Sequence, residues 1–261
     1  MSIKKYKAIE DINRKHLLSD IDKFGYVIIR GLFKKEILRS CLKKLQRKFK
    51  ISKDFSSNSG NPKQIFNNFQ KLCVGSTSVS KEKIYRMHRI FYNPTWAKDI
   101  VGLRSTFLKF NKIRNFILGF DKNFCVTRPE KNLWSACRIL QYPIGGGHMS
   151  EHTDYILKNI SKINFMNNFY QLILPITEKG RDFKKGGAYI VHKNKKIMIE
   201  NISKVGDIII YKSTLKHGVE EIDGDKNLNL EKLNGRVILM NSLYQNFLKS
   251  KSKDKYFKEI N

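Results

Sequence analysis

The 261-residue chain lacks any run of about 18 apolar residues, so no segment of it reads as a membrane span. Its first residues, MSIKKYKAIEDINRKHLL, are basic but have no apolar stretch behind them, which argues against a signal peptide. Cysteine is scarce and scattered. Cys41, Cys73, Cys125 and Cys137 include no C-x-x-C pair, so neither a disulfide framework nor a zinc cluster is expected, and reduced thiols in a cytoplasm are. Acidic residues are scarce too, 23 against 51 Lys and Arg, which leaves a net charge of +28. A field of that sign favours anionic partners, whether nucleic acid, an acidic membrane surface or a phosphorylated small molecule. The excess is nevertheless spread through pairs such as Lys43-Lys44, Lys184-Lys185 and Lys195-Lys196. A concentrated basic stripe with interleaved aromatics is missing, so the charge reads first as compositional. Internal repeats and low-complexity tracts are missing as well.

What is present suffices for a buried core: 41% of residues are hydrophobic and 11% aromatic. The pattern predicts one domain whose two parts differ in texture. Residues 1–134 read mainly as helices, with an amphipathic stretch from Ile9 to Lys23 and a second from Lys34 to Phe49, where Ile37, Leu38, Cys41, Leu42 and Leu45 share a face. A third runs from Trp96 to Leu118. Between the first two, Tyr26 to Arg30 is a short β-branched run ended by Gly31, a predicted strand. Ser52 to Lys63 reads as a loop. Residues 135–247 are short apolar runs between Gly and charged turns, at Cys137–Tyr142, Phe169–Leu174, Ala188–Val191, Ile197–Ile199, Asp207–Tyr211 and Arg236–Met240. That spacing predicts a mainly β jelly roll, a cupin-like core with N-terminal helices packed on it.

The chemistry sits in the β half. Gly145-Gly146-Gly147-His148-Met149-Ser150-Glu151-His152-Thr153-Asp154 follows the first of these runs, and on an extended backbone His152 and Asp154 project to the same side. His217 comes 65 residues after His152, beyond the Val205–Tyr211 run. A lone H-x-D means little. Two imidazoles and a carboxylate on a rigid β scaffold form the facial triad that binds Fe(II) and leaves three positions open, two for a bidentate 2-oxo acid and one for O₂. Arg236 lies on the following apolar run, where a guanidinium can hold the distal carboxylate of 2-oxoglutarate by a planar charge-assisted pair.

The order H-x-D…H…R resembles the Fe(II)/2-oxoglutarate-dependent dioxygenase superfamily, built on a double-stranded β-helix. Phe24-Gly25-Tyr26-Val27-Ile28-Ile29-Arg30-Gly31-Leu32-Phe33, Gln141-Tyr142-Pro143-Ile144-Gly145-Gly146 and Gly186-Gly187-Ala188 resemble its phytanoyl-CoA dioxygenase-like branch. The resemblance covers Phe24 to about Phe49 and Arg138 to about Tyr244; residues 50–135 carry no familiar segment. It implies decarboxylation of 2-oxoglutarate to succinate and CO₂, coupled to hydroxylation of a small-molecule C–H, or to desaturation or ring formation. Asp154 favours hydroxylation, since related halogenases carry a small residue there. The gap of 19 residues from His217 to Arg236 is longer than many members show, and Asp223 to Asn234 reads as a lengthened hairpin loop.

Further candidates surround this core. Gln141 and Tyr142 are expected beside 2-oxoglutarate. Arg138, His148 and Gln171 are expected near substrate, although His148 reads equally as a turn residue. Alternation places Arg138 and Tyr142 on the face opposite Gln141, so not all three can point inward. Arg86, His88 and Arg89 read first as a solvated loop, and otherwise as a cluster for an anionic group. His16 and His192 look peripheral, and Trp96 and Trp134 look like core. Two other functions compete: a nucleic-acid demethylase, suggested by charge alone and lacking a base-flipping motif, and a non-catalytic cupin-like binding protein, which would not need an open coordination face.

Overall fold

The computed structural model describes residues 2–56, 67–75, 86–130, 133–154 and 170–245. Among the described residues the α-helices are α1 (Arg14–Phe24), α2 (Lys35–Lys48) and α3 (Arg104–Leu118). Each follows from an apolar stripe and a local stop. α1 starts where the Asn13 side chain accepts the His16 N–H at 3.1 Å and buries Leu17 and Ile21. It ends at Gly25, whose φ of +83° only glycine adopts freely and whose missing Cβ would sit 2.6 Å from the His192 ring. α2 buries Leu38, Cys41, Leu42 and Leu45, as its spacing predicts. α3 is shorter than the stretch from Trp96 suggests. The Asp99 carboxylate accepts the backbone N–H of Gly102, Leu103 and Arg104 at 2.8–3.1 Å, which turns the chain and delays the helix to Arg104.

Among the described residues twelve strands form one continuous sheet. Four precede the β half: β1 (Ile3–Lys5), β2 (Tyr26–Arg30), β3 (Phe69–Val74) and β4 (Arg86–Tyr92). Residues 1–134 are therefore mixed rather than mostly helical. β3 and β4 escape the sequence reading because their buried face carries Lys71, Cys73, Arg86 and His88 in place of an apolar alternation. The eight that follow are β5 (Leu133–Tyr142), β6 (Gly147–His152), β7 (Tyr170–Pro175), β8 (Gly187–His192), β9 (Lys195–Met198), β10 (Ile208–Lys212), β11 (His217–Ile222) and β12 (Arg236–Gln245).

The hydrogen-bonded order is β1-β2-β10-β7-β12-β5-β4-β6-β11-β8-β9, with β3 added on β4. β4 is the corner. Its Arg89–Tyr92 end pairs with β5 and its Arg86–Met87 start pairs with β6. The sheet thus rolls into two layers, β10-β7-β12-β5 facing β6-β11-β8-β9, which is the jelly roll expected. One face of the first layer buries Val27, Ile139, Leu172, Ile208, Ile210 and Leu239 under the helices. The other face turns Ile28, Leu140, Ile173, Ile209 and Ile238 inward to meet Ala188, Ile190, Val219 and Ile222 of the second layer. Apolar runs covered on both faces are what such strands require. All four cysteines are free and buried, and among the described residues no helix is long and apolar enough to cross a membrane.

Candidate active site

The interior of the roll holds a cavity of about 230 Å³, on the order of seven or eight waters' share of liquid volume. At its mouth, β11 pairs with β6 so that His217 lies opposite His152. Directly opposed residues of an antiparallel pair project to one face, and the two rings stand 4.3 Å apart between centroids. Asp154 follows the end of β6, where its backbone N–H donates to the Ser213 carbonyl at 3.0 Å. One carboxylate oxygen is 3.7 Å from His152 Nε2 and the other 3.4 Å from His217 Nε2. The three ligand atoms all lie within 4.8 Å of one another, and the three side chains are those expected from the sequence.

The donor set suits a divalent metal. Nδ1 of His152 lies 2.8 Å from the Ser150 carbonyl, and Nδ1 of His217 lies 2.8 Å from that of Leu215. A carbonyl only accepts, so each Nδ1 carries the proton and each Nε2 lone pair faces the shared centre. Burial, and then the facing His217 ring, push His152 below the ordinary imidazole value and keep it neutral. Burial alone would raise the Asp154 carboxyl, but the adjoining His217 and His152 and the Gln171 amide together hold it below the usual carboxylate range. Gln171, on β7, donates to Asp154 Oδ2 at 2.5 Å, so it orients the carboxylate.

Arg236 opens β12 directly opposite Tyr142 on β5, and both line the cavity. The arginine is 2% exposed. Its Nε donates to Glu200, and its guanidinium lies 5.2 Å above the Tyr142 ring. The terminal nitrogens make no hydrogen bond to any described residue, while the side chain borders the cavity. Glu200, on the single 3₁₀ turn after β9, was not visible as a site residue. Its second oxygen accepts the Ala188 N–H at 2.6 Å. Gly187 makes room for it, since a Cβ there would lie 3.0 Å from the Glu200 side chain.

Two expectations require correction. Gln141 does not face the cavity. It points outward, where Oε1 accepts from Arg89 Nη1 at 2.5 Å and Nε2 donates to the Asn234 carbonyl at 2.9 Å. It fastens the long loop before Arg236 instead of contacting a co-substrate. Nor are Arg86, His88 and Arg89 a solvated loop: they lie in β4, with Arg86 and His88 turned into the cavity and Arg89 fully buried on the opposite face. Arg138 does enter the cavity, where Nη2 donates to Ser242 Oγ at 2.8 Å. His148 is not among the lining residues; its Nδ1 lies 2.8 Å from the Gly146 carbonyl. Sequence reasoning also missed Lys71, Tyr92, Tyr211 and Tyr244 in the lining. Tyr211 stands edge-on to the His217 ring at 5.1 Å. Trp134 is core as expected, 1% exposed.

No family model and no curated protein sequence matches the chain. Solved structures do. A prolyl-4-hydroxylase from Pseudomonas putida superimposes with a TM-score of 0.54 at 11% identity, over 89% of this chain and 99% of that one. The non-heme alpha-ketoglutarate-dependent epimerase SnoN from nogalamycin biosynthesis gives 0.53 at 9% identity, over 89% and 82%. EctD from S. alaskensis, solved with 2-oxoglutarate and 5-hydroxyectoine, gives 0.50 at 11% identity, over 90% and 76%. The chain has the jelly-roll fold of the Fe(II)/2-oxoglutarate oxygenases.

Proposed function

We propose that the chain is an Fe(II)- and 2-oxoglutarate-dependent oxygenase that hydroxylates a small molecule. One observation carries this reading: two imidazoles and a carboxylate converge on one point, in the same cavity as a buried arginine whose terminal nitrogens are unengaged among the described residues. His152, Asp154 and His217 would hold the iron. Iron and 2-oxoglutarate, when bound with O₂, supply the oxidising power for C–H hydroxylation as the co-substrate becomes succinate and CO₂. Arg236 grips the distal carboxylate of 2-oxoglutarate with its two terminal nitrogens, and Glu200 and Tyr142 fix the plane of that grip. Leu140, Ile173, Ile209 and Ile238 line the space with apolar surface and keep water from it. With iron bound, Asp154 would take the position that a halide needs in related halogenases, which favours hydroxylation.

The neighbours support the class and not the substrate, because function is set by the site and their own reactions differ. The segments around Phe24–Phe33 and Gln141–Gly146 favour the phytanoyl-CoA dioxygenase-like branch, and four buried free thiols accord with a reducing cytoplasm. The test is optical. Fe(II) and then 2-oxoglutarate, added to the protein under argon, should produce the visible charge-transfer band of the chelate. Asp154→Ala should abolish it together with iron binding. A folded, iron-loaded protein that shows no band at saturating 2-oxoglutarate would overturn the proposal.

A further inference from the structure

Beyond Arg236 the cavity has a second cationic pole. β3, β4 and β5 turn Lys71, Arg86 and Arg138 into the space. These three strands are neighbours, with Lys71 opposite Ile90, Ile90 opposite Leu140, and Tyr92 opposite Arg138. Among the described residues no carboxylate stands within ion-pairing distance of any of the three; each salt bridge there uses other cations. The Nε atoms of Arg86 and Arg138 are buried without a hydrogen-bond partner, as is Nδ1 of the adjoining His88. Three like charges facing one cavity repel each other and lose hydration. Lys71 and His88 register that cost. Burial, with the charges of Arg86 and Arg138, lowers the Lys71 ammonium, and burial, with all three cations, lowers His88 to about 3.

Arg138, at one end of this group, stands apart from Arg236. Arg236 pairs with Tyr142, and Met240 pairs with Arg138, so the two arginines start four positions apart on the β5–β12 ladder, about 13 Å of backbone. One 2-oxoglutarate held at Arg236 leaves the second pole unneutralised. That pole is nevertheless close to the triad. Arg138 Nη2 donates to Ser242 Oγ at 2.8 Å, Ser242 Oγ to Gln171 Oε1 at 3.4 Å, and Gln171 Nε2 to Asp154 Oδ2 at 2.5 Å.

We propose that Lys71, Arg86 and Arg138 anchor an oxyanion of the primary substrate, so that the substrate is a small carboxylate, phosphate or sulfate ester whose reacting carbon lies a few bonds from that group. This deepens the functional reading above and rests on it for the word substrate, but the anchor itself needs no metal. The deciding experiment is therefore calorimetry on the metal-free protein, with inorganic phosphate, sulfate and acetate as probes. Wild type should bind at least one of them, and the rank order names the oxyanion. Arg138→Gln, and independently Lys71→Gln with Arg86→Gln, should weaken that binding by about tenfold or more, the value of a lost charged hydrogen bond. Arg236→Gln, which removes the other anion clamp, should retain one anion site with its affinity within about twofold. The paired Lys71 and Arg86 variant touches no part of the Ser242–Gln171–Asp154 chain, so its folding and its 2-oxoglutarate band serve as controls. Binding that survives both sets of changes, or that is lost instead in Arg236→Gln, overturns the anchor. Phosphate binding without a 2-oxoglutarate band would overturn the oxygenase reading and leave the anchor standing. A band with no anion binding at all would do the reverse.

Discussion

Glu200 gives one oxygen to Arg236 Nε and the other to the Ala188 amide, so a single carboxylate ties the clamp on β12 to the start of β8. Replacing it with glutamine leaves only one acceptor oxygen for two donors. Glu200→Gln should raise the Kd for 2-oxoglutarate by about tenfold, and Arg236→Lys, which loses the planar fork, by about 10- to 100-fold. Both are read by titrating the charge-transfer band. An unchanged affinity in Glu200→Gln would mean that β12 alone aims the guanidinium. At this scale the sequence was readable where rare side-chain types recur in a fixed order. Two histidines and an aspartate need no partner to be noticed. Glu200 had no such signal: its partner is 36 positions away and no spacing links them. Gln141 was misplaced for a different reason. Alternation tells which residues share a face of a strand, but not which face is inside.

β4 shows how an element can hide from a hydropathy reading. Its inward face is cationic because it borders the cavity, and its outward face buries Arg89. That arginine lies against the Asp54 carboxylate at 2.7–2.9 Å, and also reaches Gln141 and the Leu230 carbonyl at 3.0 Å. The network clamps the loop of 223–235 to the back of β5, which explains how a long insertion before Arg236 still delivers that residue in register. Arg89→Met should strand the Asp54 carboxylate, only 9% exposed at its side chain, and destabilise the fold by about 3 kcal/mol or more. Adding Asp54→Asn should recover part of that loss in urea melts, as a cycle for a coupled pair requires. Equal stability of the two variants would assign the loss to packing alone. The β-branched runs, by contrast, were legible, because strands such as Ile208–Lys212 are covered on both faces and need apolar residues at every position.

At the scale of the whole molecule, the +28 charge is a long-range field around a cavity lined by Lys71, Arg86, Arg138 and Arg236. Such a field raises the arrival rate of a dianion more than its residence time. The association rate of 2-oxoglutarate, followed by stopped-flow growth of its band, should fall steeply as salt rises from about 0.01 to 0.15 M, over which the Debye length shrinks from about 30 to 8 Å. A rate indifferent to salt would return the charge to the status of compositional bias.

β12 occupies a particular place in this architecture, between β7 on one side and β5 on the other. Among the described strands it alone joins the β1-β2-β10-β7 portion of the sheet to the portion that runs from β5 to β9. It is also the last described strand to leave the ribosome. A nascent chain thus already carries His152, Asp154 and His217 while the β7 and β5 edges stand bare and Arg236 has yet to arrive. Those edges invite pairing with other chains. The arrival of Arg236 and the covering of the β7 and β5 edges are therefore one event.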